Sequence, residues 1–484
     1  MKPIFKPEYE FLQDTLKISL PPYCWRKGSK IYLNIGDTVP LIEFKAQLGK
    51  LVVKKNNIKA IHEDNSVTIV HKGKEHHIEN LTLEEEYEKR KEYLDALIQE
   101  AIRETIAFMK KYPDYNYRIS ISGGKDSSFL LWIMKQVYEK LGKDFYTHVT
   151  PDVYNTTNDT ADTYKHIKYE LKPWVEPLMD MSKVTNSKTY IAEFNKHVKQ
   201  FIHSPKKGWY KWLKEDKNWF LPSVNVRNCC STYKEGQVKK VLSKNEHYVM
   251  FLGMRKHESQ KRAFYDFDLD AAYLKNKGKA TNLYAGWKRF CPIVNFRDED
   301  VWLLLMHHSI RVNQMYSYGY SRCGCLICPY ASDYTDILTS KYYPSLMKKW
   351  EYACERNYDN TDVANRLKWS REEWRLGKWK KGTSKERELL VCAKTKERVK
   401  QLAELKNIPI EIAEKYWDKN KCSCGKKLNP DEIAVNLKLF GRYDGVEDTR
   451  LFKCKNCICE DLKITKKEYQ NMIYDFRSSG CNLF

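Results

Sequence analysis

The segment that most constrains this chain is "YRISISGGKDSSFLL", residues 117–131. Tyr117, Ile119 and Ile121 alternate with polar residues as a strand does, and "SSFLLWIMKQVY" continues as a helix. Between them stand Ser122, Gly123, Gly124, Lys125, Asp126, Ser127 and Ser128. Paired glycines let the backbone turn tightly and bring its amides against a ligand. The helix start offers unpaired N–H groups and the positive end of a dipole, which together hold phosphate. The serine hydroxyls and Lys125 add donors, and Asp126 can cap the helix or hold a divalent cation on the phosphates. The competing reading is an ordinary strand–turn–helix junction. The fixed order of serine, two glycines, aspartate and serine favours a pyrophosphate cradle. It is neither GxxxxGK[ST] nor GxGxxG.

Around this junction, apolar strands alternate with helical stretches from 115 to about 330: "YRISIS", "FYTHVTPDV", "KTYIAEF", "HYVMFLG", then the helix "DEDVWLLLMHH". That alternation predicts an α/β fold with a doubly wound parallel sheet. At 484 residues the chain should hold several domains. We expect a β-rich N-terminal module over 1–80 and a catalytic domain over 81–334, with a helical lead-in at 83–111. A basic helical region over 335–415 and a cysteine-rich, zinc-ribbon-like module over 416–484 follow.

The loop is similar to the SGGxDS pyrophosphate loop (PP-loop) of the ATP-pyrophosphatase, or adenine nucleotide alpha hydrolase-like, superfamily. Three more motifs follow it: "RNCCSTYKEGQVKKVL", "FLGMRKHESQKR", and "CPIVNFRDEDVWLLL" leading to "NQMYSYGYSRCGCLICPY". In this order they resemble the phosphoadenosine phosphosulfate (PAPS) reductase family over roughly 115–330. The resemblance implies ATP with Mg²⁺ at residues 122–128, with Asn155, Thr156 and Thr157 facing the adenosine. A polar turn explains those last three equally well. Arg255 and Arg262 suit phosphate or sulfate, because a guanidinium grips such oxyanions bidentately; surface ion pairing is the alternative.

Fifteen cysteines and no secretory apolar segment suggest a cytoplasmic protein using cysteine for metal or catalysis. Cys229, Cys230, Cys325 and Cys328 match the Cys-Cys…Cys-x-x-Cys pattern of cluster-bearing adenylyl-sulfate reductases, which implies a [4Fe–4S] cluster. Tetrahedral zinc competes for the same sulfurs. Cys323 is a fifth candidate, as a replacement ligand or a sulfur-carrying thiol. In the tail, Cys422, Cys424, Cys454 and Cys457 have zinc-ribbon spacing, with Cys459 or Cys481 as substitutes.

Sulfonucleotide reductases lack an intact SGGxDS loop and end on a catalytic cysteine within "ECG"; this chain keeps the loop and has no "ECG". The favoured reading is therefore an enzyme that adenylylates a substrate oxygen with ATP, releases pyrophosphate and supports sulfur transfer. Lys125, Asp126, Arg255, Arg262 and Cys323 are its candidate catalytic residues. An intact loop joined to a cysteine cluster is similar to the cluster-bearing member of the DNA phosphorothioation systems. The alternatives are a sulfonucleotide reductase making sulfite, and a non-enzymatic nucleic-acid-binding protein with a regulatory nucleotide site.

The net charge of +22 fits a polyanionic partner or simply a lysine-rich surface. Trp369, Trp374 and Trp379, and the tryptophans of "KKGWYKWLKEDKNWF", lie among cations, as base-stacking residues do. A five-residue spacing does not line one helix face, so core packing is slightly favoured. Nucleic acid is thus a candidate partner, beside a sulfur donor or reductant protein. No apolar run reaches the length of a membrane span.

Overall fold

The computed structural model describes residues 1–47, 49–222, 228–241, 246–277, 286–326, 328–360, 370–380, 400, 403–404, 409–410, 422, 424–426, 428–439 and 452–478. It divides into two compact units, one of residues 1–216 with 232–350, the other of 217–231 with 351–484. The N-terminal module and the sheet domain thus share one unit.

The first unit opens with antiparallel strands β1 (Lys2–Pro3), β2 (Trp25–Lys27), β3 (Lys30–Tyr32), β4 (Ile42–Gln47) and β5 (Lys50–Asn56), with helix α1 (Lys6–Leu16) between β1 and β2. A three-stranded sheet of β6 (Ile58–Ile61), β7 (Val67–His71) and β8 (Lys74–Ile78) follows. Leu12, Ile31, Leu41, Ile42 and Phe44 form its core together with Tyr320, Tyr334 and Leu338, the last two from α13 (Asp333–Tyr342). The lead-in is two helices, α2 (Leu83–Glu88), opened by a reciprocal Thr82–Glu85 cap, and α3 (Lys91–Lys111).

The central sheet contains β9 (Asn116–Ser120), β10 (Val149–Tyr154), β11 (Ile202–His203), β12 (Tyr248–Phe251) and β13 (Trp287–Phe290), parallel throughout, in the order β11-β10-β9-β12-β13. Between them run α4 (Lys125–Lys140), α5 (Phe145–His148), α6 (Ala161–Val175), α7 (Ser187–Val198), α8 (Trp209–Glu215), the turn α9 (Asn228–Cys230), α10 (Gly236–Val241) and α11 (Leu269–Lys277); α12 (Asp298–His307) follows β13. One sheet face buries Ile119, Val149, Val153, Val249, Phe251 and Phe290 in one core with Leu130, Ile133, Leu171 and Leu304. On the other, Tyr248, Met250 and Trp287 pack against Val238 of α10. The chain runs from β9 to one edge, then returns to fill the other side from β12. The loop after β9 therefore lies at the topological switch point, where open α/β sheets bind ligands.

Two expected strands are different. "KTYIAEF" belongs to α7, because Asn186 caps the helix and Thr189 bonds back to it. Only the second part of "FYTHVTPDV" is strand; Asp144 caps its first residues into α5. The tryptophans read as stacking candidates are core residues: Trp209, Trp212, Trp219, Trp374 and Trp379 are each at most 8% exposed. Trp209 packs on Trp350 with ring centroids 4.8 Å apart. Trp369 and Cys481 lie outside the described residues.

In the second unit, helices Pro430–Leu439, Lys455–Leu462 and Lys466–Ser478 enclose Val435, Ile458, Tyr469 and Ile473.

Candidate functional site

The loop at the switch point is held from behind. Gly123 has φ +69°, and a Cβ there would sit 2.9 Å from Ile167 of α6, so both its backbone and its space demand glycine. Asn313 Nδ2 donates to the Gly123 carbonyl at 2.9 Å and reaches Thr163 Oγ1 at 3.1 Å. Tyr316 accepts the Lys125 backbone N–H at 2.9 Å. Gly253, two residues beyond β12, comes so close that a Cβ would lie 2.9 Å from the Asp126 carbonyl oxygen.

The serines divide by role. Ser127 Oγ donates to the Gly124 carbonyl at 2.8 Å and accepts the Ser122 N–H at 3.3 Å, which fixes the turn. Ser128 points into the protein, donating to Glu170 at 2.6 Å with His166 Nε2 at 3.1 Å.

Above the loop stands an ion cluster. Lys125 Nζ lies 2.8 Å from Asp126 and 2.9 Å from Asp298. Arg255 reaches Asp126 at 2.7 Å and Asp298 at 2.9 Å. Burial works against the Asp298 charge, but Lys125, the Met1 α-amino group and Arg255 hold its carboxyl well below the usual carboxylate range. Those same carboxylates keep buried Arg255 charged. Arg262 stands apart from this cluster, paired with Glu258 at 2.5 Å.

The Asn155–Asp159 turn fastens the carboxyl ends of the strands. Asn155 donates to Ser204 at 2.9 Å, Thr156 to Asp159 at 2.5 Å, and Thr157 accepts the Trp209 N–H at 2.6 Å. The Asn158 carbonyl accepts the Leu326 N–H at 2.9 Å, which joins the turn to the loop bearing Cys325 and Cys328. Thr156 also bonds to the Cys325 thiol, which burial pushes up to about 11 against the pull of Lys234. Burial likewise raises the Cys323 thiol, which receives a hydrogen bond from Tyr316. Cys323 is thereby linked through one tyrosine to the first amide of α4.

Cys325 and Cys328 belong to the first unit and Cys229 and Cys230 to the second, so neither unit contains the whole predicted cluster set. The tail quartet lies within one unit. Cys422, Cys424, Cys454 and Cys457 place their sulfurs within 4.8 Å of one another. Separations of 3.6 Å (Cys422–Cys457), 3.6 Å (Cys454–Cys457) and 3.8 Å (Cys424–Cys454) fit the edge of about 3.8 Å of a tetrahedron of sulfurs around one zinc-sized ion. A four-iron cube would stand its thiolates further apart. Cys459 is turned to the Thr465 carbonyl at 3.9 Å and is outside the set.

Asn313, Tyr316 and Asp298 were not expected as loop partners. Their motifs were visible in the sequence, but nothing marked them as contacts of a loop more than 170 residues away.

An uncharacterised protein of Methanocaldococcus jannaschii is 26% identical over 404 residues, covering 80% of this chain and 83% of that protein. A phosphoadenylyl-sulfate (PAPS) reductase from Candida auris, solved as a phosphate complex, is 12% identical, covers 51% of this chain and 96% of its own, and gives a TM-score of 0.29. The U34-tRNA thiolase NcsA from Methanococcus maripaludis, with its [4Fe-4S] cluster, is 14% identical, covers 56% and 80%, and gives 0.19. The phosphoadenosine phosphosulfate reductase domain model matches residues 116–331, the stretch that holds the parallel sheet and the loop at its switch point.

Proposed function

We propose that the protein is a PP-loop enzyme that binds ATP with Mg²⁺, adenylylates a substrate oxygen and supports its replacement by sulfur. The observation that carries this is the complete Ser122–Ser128 loop, built at the switch point and braced by Gly253, Asn313 and Tyr316. An oxygen of the substrate attacks the α-phosphorus; the bond to the bridging oxygen breaks and pyrophosphate leaves, held by the loop and the start of α4. A sulfur nucleophile, brought as hydrosulfide by a donor protein, then displaces AMP. A base or backbone phosphate of nucleic acid is the acceptor class that the net charge of +22 favours.

The tail quartet brings four thiols together for one metal ion. The sequence pattern of Cys229, Cys230, Cys325 and Cys328 is the one that suits a [4Fe–4S] cluster, which supplies sulfur-handling or electron-transfer chemistry when bound. The tail quartet would hold a structural zinc ion. A second reading, a PAPS or adenylyl-sulfate reductase, is supported by the description of the matched family.

Purified anaerobically, the protein should exchange labelled pyrophosphate into ATP when tRNA or DNA is offered, and should carry about four irons with separate zinc. Absence of exchange with every nucleic acid tried overturns the adenylylation reading. Sulfite formed from PAPS with thioredoxin as donor would put the reductase in its place.

A further inference from the structure

The ion cluster at the loop has an inside and an outside. The cationic side chains are the buried members, Lys125 at 4% exposure and Arg255 at 3%. The carboxylates face out, Asp126 at 27% and Asp298 at 40%. Each cation touches both carboxylates at 2.7–2.9 Å. A phosphate approaching the loop therefore meets negative charge first, and both cations already have partners.

We propose that Asp298 is a positioning residue that latches Lys125 and Arg255, and that a pyrophosphate group engages these cations only by taking them from Asp298. The proposal rests on the reading of residues 122–128 as an ATP loop and adds the step by which that loop opens to its ligand. Asp298 suits the part by its place. It is the first residue of α12, on a different element from the loop, whereas Asp126 is part of the loop itself. The groups facing it are Lys125, Arg255 and the α-amino group of Met1 at 3.4 Å, which also pairs with Glu299 at 3.0 Å. Release of the two cations therefore leaves Asp298 beside a positive group instead of stranding its charge.

The test is calorimetric titration of the full chain with magnesium pyrophosphate. Asp298→Asn keeps the size of the side chain and removes the competing charge, so pyrophosphate should bind about threefold to tenfold more tightly, the scale of one partly exposed ion pair. Glu299→Gln removes a neighbouring carboxylate that pairs with Met1, and should leave the affinity unchanged. Equal or weaker binding by a folded Asp298→Asn protein overturns the latch, as does equal tightening in Glu299→Gln. In the wild-type chain, saturating pyrophosphate should speed amide exchange over residues 298–302, because the first turn of α12 loses its anchor. Unchanged or slower exchange there overturns the latch even if the variant does not fold. Failure of the wild-type chain to bind pyrophosphate overturns the ATP reading and the latch together; binding without a gain in the variant overturns the latch alone.

Discussion

The hydroxyl of Tyr316 accepts the backbone N–H of Lys125 at 2.9 Å, from a position 191 residues further along the chain. It satisfies one of the donors that a helix start leaves unpaired, and it is fully buried. The glycine loop is thus shaped by a side chain beneath it as well as by its own glycines.

Tyr316→Phe should keep the ring packed against Trp302, whose centroid lies 4.9 Å away, while stranding the Lys125 N–H. A buried donor without a partner costs about 1–3 kcal/mol, so urea denaturation should show a loss of that size. Unchanged stability would mean that water replaces the hydroxyl freely.

Gly253→Ala probes the approach of β12 to the loop. The new methyl would lie 2.9 Å from the Asp126 carbonyl oxygen and 3.1 Å from its carbon, both backbone atoms that cannot rotate away. We expect a folded protein that binds pyrophosphate at least tenfold more weakly, as overpacking worth about 1–3 kcal/mol is relieved by moving the loop. Calorimetry measures it, and native-like affinity would show that the two backbones can separate without harm.

What could be read in the sequence was local. The strand, glycines and serine order of residues 117–128 fix a turn within a dozen residues, and the C-x-C and C-x-x-C pairs of the tail announce their own knuckles. Misreadings occurred where a short apolar run met a capping residue. The run around Tyr190 and Ile191 has strand composition, yet Asn186 and Thr189 cap it into a helix. For Trp209 and Trp374 the basic surroundings left base stacking open beside the slightly favoured core packing, and burial, which depends on the far side of each element, bears out the core reading; Trp374 Nε1 donates to Asn357 at 3.1 Å in the interior. Asp298 and Asn313 acquire their roles only when remote segments meet, and nothing in their immediate neighbours carries that information.

Asp152 is a pH probe of the sheet. It is fully buried on β10 and joins three adjacent strands, taking Arg118 at 2.5 and 2.7 Å and His203 at 2.6 Å. Burial alone would raise its carboxyl; His203 and Arg118 hold it below the ordinary range instead. Because the folded value is depressed, its stabilisation is fully present above the unfolded value of about 3.9 and is lost as pH falls through the folded value. Asp152→Asn should therefore destabilise the protein at neutral pH by about 3 kcal/mol, the scale of a broken buried pair. The gap to wild type should close as the pH is lowered below about 4. Urea denaturation across this range checks both; a gap that stays constant to the acid limit would show that the carboxylate is not the source.

The tail offers the clearest test of a metal. Among its described residues the apolar clusters are small: one centres on Val435, Ile458 and Tyr469, another on Leu428 beside the cysteines. Such a segment needs a staple, and metal binding to four cysteines contributes on the order of 10 kcal/mol to folding. Cys454 opens the helix Lys455–Leu462 and gives its N–H to Cys422 Sγ at 3.0 Å, so the sulfur set and the helix start are one structure. Cys422→Ser should lose one zinc per chain and leave 422–478 open to limited proteolysis. Cys459→Ser, which alters a sulfur outside the set, should keep both the metal and the protection. Metal analysis with proteolysis of the two variants decides the assignment: equal zinc loss in both would place Cys459 among the ligands, and zinc retained in Cys422→Ser would remove Cys422 from them.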